Sequence, residues 1–141
     1  MKKILLTTSV VILLAVLFSG CIIPSGLLST EGWEPLNDEG TAAKLKGRLF
    51  LSNQDSLNWT GFVYDTEYHD SPEEYQYKID GVLTTEKYII NFEADLYDLD
   101  PDTTYHFRAI AGYWMHNPND GNIYYNTRCA QDLSFKLGED N

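Results

Sequence analysis

From Ala43 onward apolar and polar residues alternate with a period of two. Ala43, Leu45, Gly47, Leu49 and Leu51 fall on one side, and Lys44, Lys46 and Arg48 on the other. That is the period of a half-buried antiparallel strand. The basic trio is read as its solvated face. A second short strand follows at Gly61-Phe62-Val63-Tyr64. Alternation recurs at Tyr75, Tyr77 and Ile79, at Tyr88, Ile90, Phe92, Ala94 and Leu96, at Tyr105, Phe107, Ala109 and Ala111, and at Leu133, Phe135 and Leu137. Between these runs lie turn signals: the polar stretch from Asn53 to Asn58, the Asp80-Gly81 pair, and Asn117-Pro118-Asn119-Asp120-Gly121. A loop runs from Glu67 to Glu74. After residue 20 no stretch holds a helical period of adequate length. Short strands with frequent turns predict an all-β antiparallel sandwich of about seven strands.

The beginning of the chain follows a different pattern. Lys2 and Lys3 precede an apolar run from Ile4 to Phe18, interrupted only by Thr7, Thr8 and Ser9. A bilayer span needs roughly 20 apolar residues, so this run has the length of a signal h-region instead. Leu17-Phe18-Ser19-Gly20-Cys21 then resembles the lipobox of prokaryotic lipoproteins, with Phe18 where Leu is usual. The resemblance implies a signal peptide at 1–20, cleavage before Cys21, and acylation of its thiol. The protein would then sit on the extracytoplasmic face of the cell membrane, held by its lipid anchor. Residues 21–32 read as a tether broken by Pro24, Gly26 and Gly32, and the domain as 33–141, opening near Trp33 and Leu36.

Composition sharpens this picture. The 141 residues hold 10 Lys and Arg against 21 Asp and Glu, a net charge of −11. Removing Lys2 and Lys3 with the leader leaves −13 over 121 residues. Nucleic acid is an unsuitable partner for so acidic a chain, because phosphate contacts need clustered Lys and Arg. Two cysteines make neither a disulfide scaffold nor a four-thiolate zinc site. With Cys21 in the anchor, Cys129 is left alone and reads as a half-buried structural thiol.

The segment from Leu96 to Ala109 is the most specific in the chain. Leu99, Pro101 and Tyr105 resemble the corner between the fifth and sixth strands of fibronectin type III domains. Ala43 to Gly47 and Gly61 to Thr66 resemble an early and a central strand of the same family, in the same order. The resemblance spans roughly 33 to 137. It implies a fibronectin type III/immunoglobulin-like sandwich whose Tyr105 hydroxyl returns to nearby backbone as a tyrosine corner, with Pro101 fixing the turn. Domains of this family serve mainly as spacers and as adhesion or recognition modules.

Candidate chemistry is sparse. His69, His106 and His116 have no His or Cys at metal-ligand spacing, and His106 reads as solvent-facing on its strand. No serine elbow or phosphate-binding glycine loop is present. Asp65, Glu67, Asp70, Glu73 and Glu74 form one acidic group, and Asp95, Asp98, Asp100 and Asp102 another. Calcium takes six to eight oxygen ligands, but neither group has the spacing of a known calcium loop. No metal, cofactor or catalytic residue is expected. Tyr113, Trp114, Tyr124 and Tyr125 flank the hairpin after Ala111 and are the candidate ligand-binding residues, since sugar rings stack on such faces. The simpler reading is that alternating aromatics pack the sandwich. Asn58-Trp59-Thr60 is an N-glycosylation acceptor sequence. The expected role is non-catalytic: a lipid-anchored module that presents loops to a surface protein or a glycan. The alternative is a carbohydrate-binding accessory module serving a surface enzyme system. A weaker third reading is a small hydrolase using carboxylates of the Glu67 to Glu74 loop.

Overall fold

The computed structural model describes residues 27–84 and 88–138. The expected signal peptide, Cys21 and the first part of the expected tether lie outside the described residues. The protein is all-β. Nine strands form two antiparallel sheets packed as a sandwich: β1 (Leu27–Pro35), β2 (Ala43–Phe50), β3 (Ser56–Asp65), β4 (Tyr77–Asp80), β5 (Val82–Leu83), β6 (Ile89–Leu96), β7 (Tyr105–His116), β8 (Ile123–Cys129) and β9 (Leu133–Phe135). One sheet has the order β1-β2-β6-β5. The other has β4-β3-β7-β8, with β9 also paired to β7. The two strands beyond seven come from short pieces. The Asp80-Gly81 signal is the point where the chain leaves β4 for β5 in the other sheet, with the Gly81 N–H donating to Thr60 O at 2.8 Å.

β2 follows its sequence pattern residue by residue, with buried and half-buried positions alternating along its length. Leu45, Leu49, Phe62, Phe92, Phe107 and Tyr113 are the largest fully buried side chains. Removing each from water contributes roughly 1.5–3 kcal/mol. Phe92 meets Phe62 across the two sheets at 5.2 Å between ring centroids. Gly47 allows this packing, because a Cβ there would strike the Cζ edge of the Phe92 ring.

β1 begins at Leu27, so residues 27–32, assigned to the tether by sequence, belong to the sheet. A bulge between Thr30 and Gly32 hid this strand by shifting its period. Buried Thr30 fills a gap in the facing sheet. β9 pairs β7 as far as Phe107 and β8 from Ile110 onward. The Ala109 N–H between them donates to Thr30 Oγ1 at 3.0 Å, and that hydroxyl donates to Gln131 O at 2.7 Å.

At the corner before β7, Leu99 and Tyr105 are both buried. The Asp100 N–H donates to Tyr105 Oη at 3.0 Å. Tyr105 also stacks on Phe135, which stacks in turn on Trp33.

Candidate functional site

The outer face of the five-stranded sheet holds the chemistry that the core does not use. Phe107, Ala109, Ala111 and Tyr113 of β7 point into the core, so His106, Arg108, Ile110, Gly112 and Trp114 point out. This corrects one sequence expectation. Tyr113 is fully buried and cannot stack on a ligand; its hydroxyl lies within reach of Arg128 Nε at 3.4 Å. Trp114, Tyr124 and Tyr125 are 45 %, 45 % and 43 % exposed.

Towards the β7–β8 turn the outer face is aromatic. Register places Trp114 opposite Tyr125, with ring centroids 4.9 Å apart and tilted by 58°. A bulge between Leu57 and Trp59 turns the Trp59 indole onto the same face. Its Nε1–H donates to Tyr125 Oη at 2.9 Å. Asn58 therefore lies within β3, at the bulge, rather than in a loop, and its exposed side chain also bonds Tyr125. Together Asn58 and Trp59 hold the Tyr125 phenol below its ordinary range. Lys78 sits 4.0 Å from the centre of the Trp59 ring. Beneath these rings is bare backbone. A Cβ at Gly112 would strike Tyr125 Oη and lie 2.5 Å from Trp59 Nε1.

Further along the same face, loop 66–76 folds back over the sheet. Tyr75 is buried there with Val63 and Ile110 rather than joining a strand, which begins only at Tyr77. Arg108, a buried cation, holds the loop down. Its Nε donates to Tyr75 Oη at 3.1 Å and its Nη2 to His69 O at 2.8 Å. The Tyr68 and Tyr75 rings flank the guanidinium. Tyr75 Oη donates to Asp132 Oδ1 at 2.6 Å, and His106 Nδ1 lies 2.8 Å from Asp132 Oδ2. So His106, expected in solvent, is a half-buried partner of Asp132. At the loop's start His69 Nε2 lies 3.0 Å from Asp65 Oδ2. Burial pushes the Asp65 carboxyl up, but the Gln76 N–H, His69 and the Thr66 N–H together hold it below its ordinary value. Burial and Asp132 push the Tyr75 phenol up.

Neither His–Asp pair has a nucleophile in hydrogen-bond contact with its imidazole among the contacts described. Glu67, Asp70, Glu73 and Glu74 are all exposed. Among the described residues no group of three or more His, Cys, Asp or Glu is arranged to hold a metal ion. Cys129 is exposed, not half-buried, because β8 is an edge strand and the thiol lies on its outer side.

The opposite outer face, on the four-stranded sheet, carries a groove of about 440 Å³ bordered by Lys46, Arg48, Asn91 and Glu93. Its charges answer one another. Lys44 pairs with Glu93, Lys46 with Glu34, and Arg48 with Glu31 and the Asn91 amide.

Of the residues singled out by sequence, the structure brings Trp114 and Tyr125 together, while Tyr124, opposite Met115, alternates to the other side of β8 and bonds Asp120. Sequence reasoning missed Trp59 and Lys78 as neighbours of the first two, and the Arg108 clamp altogether. The only available signal was two aromatics at Tyr68 and Tyr75 around a histidine in an otherwise polar loop. No family model matches the chain, and no curated protein or solved structure matches it either.

Proposed function

We propose that this is a lipid-anchored cell-surface protein whose β-sandwich is a non-catalytic, fibronectin type III-like module for protein or glycan interaction. The strand order supports the fold reading: β1-β2-β6-β5 against β4-β3-β7-β8 follows the A-B-E-D and C′-C-F-G order of immunoglobulin-type sandwiches. The Asp100–Tyr105 hydrogen bond has the form of a tyrosine corner. Function at this level rests on the site and not on the fold.

One observation carries the reading. Trp114 and Tyr125 stand half exposed beside Trp59, with the Asn58 amide and the Lys78 ammonium at their rim. Buried packing cannot explain rings left in water, and ring faces beside hydrogen-bonding groups suit a sugar. That favours the narrower reading of a carbohydrate-binding accessory module. Trp114→Ala should lose retention on a polysaccharide array while its thermal stability stays unchanged. Unchanged retention, or a large loss of stability, would sink the glycan reading. The anchor is tested separately: Cys21→Ser should leave the membrane fraction, and a variant that stays there like wild type overturns it.

A further inference from the structure

The two ends of the sandwich differ in kind. β1 begins at one end, where Leu27 pairs with Phe50 and Phe50 with Ile89. Leu28, Leu49 and Ile90 of the next row are buried, so Leu27, Phe50 and Ile89 form an outward-facing apolar row across three strands. The short connection from β2 to β3 brings the β7–β8 turn to this same end, with Ile123 and Tyr124. Tyr88 is there too, its carbonyl accepting from the Leu51 N–H. Leu27, Tyr88, Ile89, Ile123 and Tyr124 are all more than 40 % exposed.

Charge is distributed the opposite way. The far-end loops, 36–42, 66–76 and 97–104, hold nine carboxylates and no Lys or Arg. By sequence the near-end connection 84–88 holds one acid and one base, Glu86 and Lys87; the other near-end loops, 51–55 and 117–122, hold only Asp55 and Asp120. These two aspartates are engaged locally: Asp55 accepts from the Ser52 and His116 N–H groups, and Asp120 from the Asn122 N–H and Tyr124 Oη. Tyr68 and Tyr97 are exposed at the far end, but their hydroxyls bond Asp70 and Asp95 among the acids.

We infer that the near end rests on the uncharged interfacial layer of a lipid bilayer. This inference rests on the anchor at Cys21 proposed above. Five residues separate Cys21 from Leu27, so the chain can carry β1 no more than about 20 Å from the acylated cysteine. The end that the anchor holds at the membrane is thus the end with exposed Leu, Ile and Tyr, residues that partition into interfaces. The acidic end, about 30 Å away along the strands, points outward. The near-end connections carry no net positive charge, so anionic headgroups gain no net attraction there, and the surface fits a zwitterionic one. In this pose the sheets stand upright, and the Trp59–Tyr125 face opens sideways to a ligand.

Ile123 and Tyr97 are equally exposed, at 66 % and 65 %, and lie at opposite ends. The full mature chain would be placed in phosphatidylcholine vesicles with brominated acyl chains, carrying either Ile123→Trp or Tyr97→Trp as a reporter. Relative to unbrominated vesicles, the added emission of the Ile123→Trp reporter should fall about twofold or more, the response of a ring at the acyl boundary. That of the Tyr97→Trp reporter should not change. Adding Ile89→Asp should restore the Ile123→Trp emission. Equal quenching at both ends, or at neither, overturns the inference. Shielding of Ile123→Trp from aqueous quencher that rises with protein concentration and ignores bromine also overturns it, because a second copy then covers this end. Acylation is read from the mass of the mature N-terminus. An unacylated chain overturns both the anchor and the docking; an acylated chain with unquenched Ile123→Trp overturns the docking alone.

Discussion

The two outer faces of the sandwich come from the same kind of strand and end in opposite states. On the four-stranded sheet, β2 presents Lys44, Lys46 and Arg48, and acids of β1 and β6 meet each one within a neighbouring register position. The three cations of β2 are thus already paired with acids of the same face. On the five-stranded sheet the outward residues of β3 and β7 include Trp59, Val63, Arg108, Ile110 and Trp114, which alternation alone would assign to solvent. Loop 66–76 covers one half of them and leaves the other half, around Trp114 and Tyr125, open. A strand's polar side is therefore inert when its cross-strand neighbours neutralise it, and available when they are aromatic and uncovered.

The largest test of this contrast removes the cover. Arg108→Met keeps the volume but abolishes the hydrogen bonds to Tyr75 and His69, and should cost about 3 kcal/mol in chemical denaturation, the scale of lost bonds to a buried charge. Limited proteolysis should then cut within 66–76. If the loop stays protected, Arg108 is not what holds it. Gly112→Val is next. Its side chain would displace the Trp59–Tyr125 pair, costing about 2 kcal/mol by overpacking and abolishing whatever the aromatic half retains. A variant that keeps both stability and retention would show that these rings are not held by the backbone beneath them.

Asp65 sets a pH dependence on the covered half. Its folded carboxyl is held below the ordinary value, so its contribution is present above the unfolded pKa of about 3.9 and fades as pH falls through the lower folded value. In Asp65→Asn that acid-side slope should flatten in pH-dependent denaturation; an unchanged slope would assign it to other carboxylates. The smallest effect belongs to the other face. Lys46→Ala should leave the melting temperature unchanged within error, because exposed ion pairs contribute little. A clear loss would mean that the paired face carries stability, and the contrast between the faces would narrow.

Much of the fold was legible because it is local. β2, β6 and β7 alternate in sequence as they do in space. Leu99, Pro101 and Tyr105 marked a corner within seven residues, and its Asp100–Tyr105 hydrogen bond spans five. β1 was not legible, since one extra residue at the bulge moved every later side chain to the other face. Of the four aromatic candidates, period two separates Tyr113 from Trp114 only once it is known which side of β7 faces the second sheet.

By itself the sequence determined an all-β chain, the turns that punctuate it, the acidic balance and the residues that could stack on a ligand. These follow from side-chain period, backbone stereochemistry and charge, all readable over a few neighbours. Tertiary structure alone decided the rest. It placed Trp59 against Tyr125 across 66 residues, Arg108 under His69 across 39, and Thr30 in the gap beside Ala109 across 79. Such contacts depend on how two sheets and a loop meet, and no local pattern records the partner at that distance.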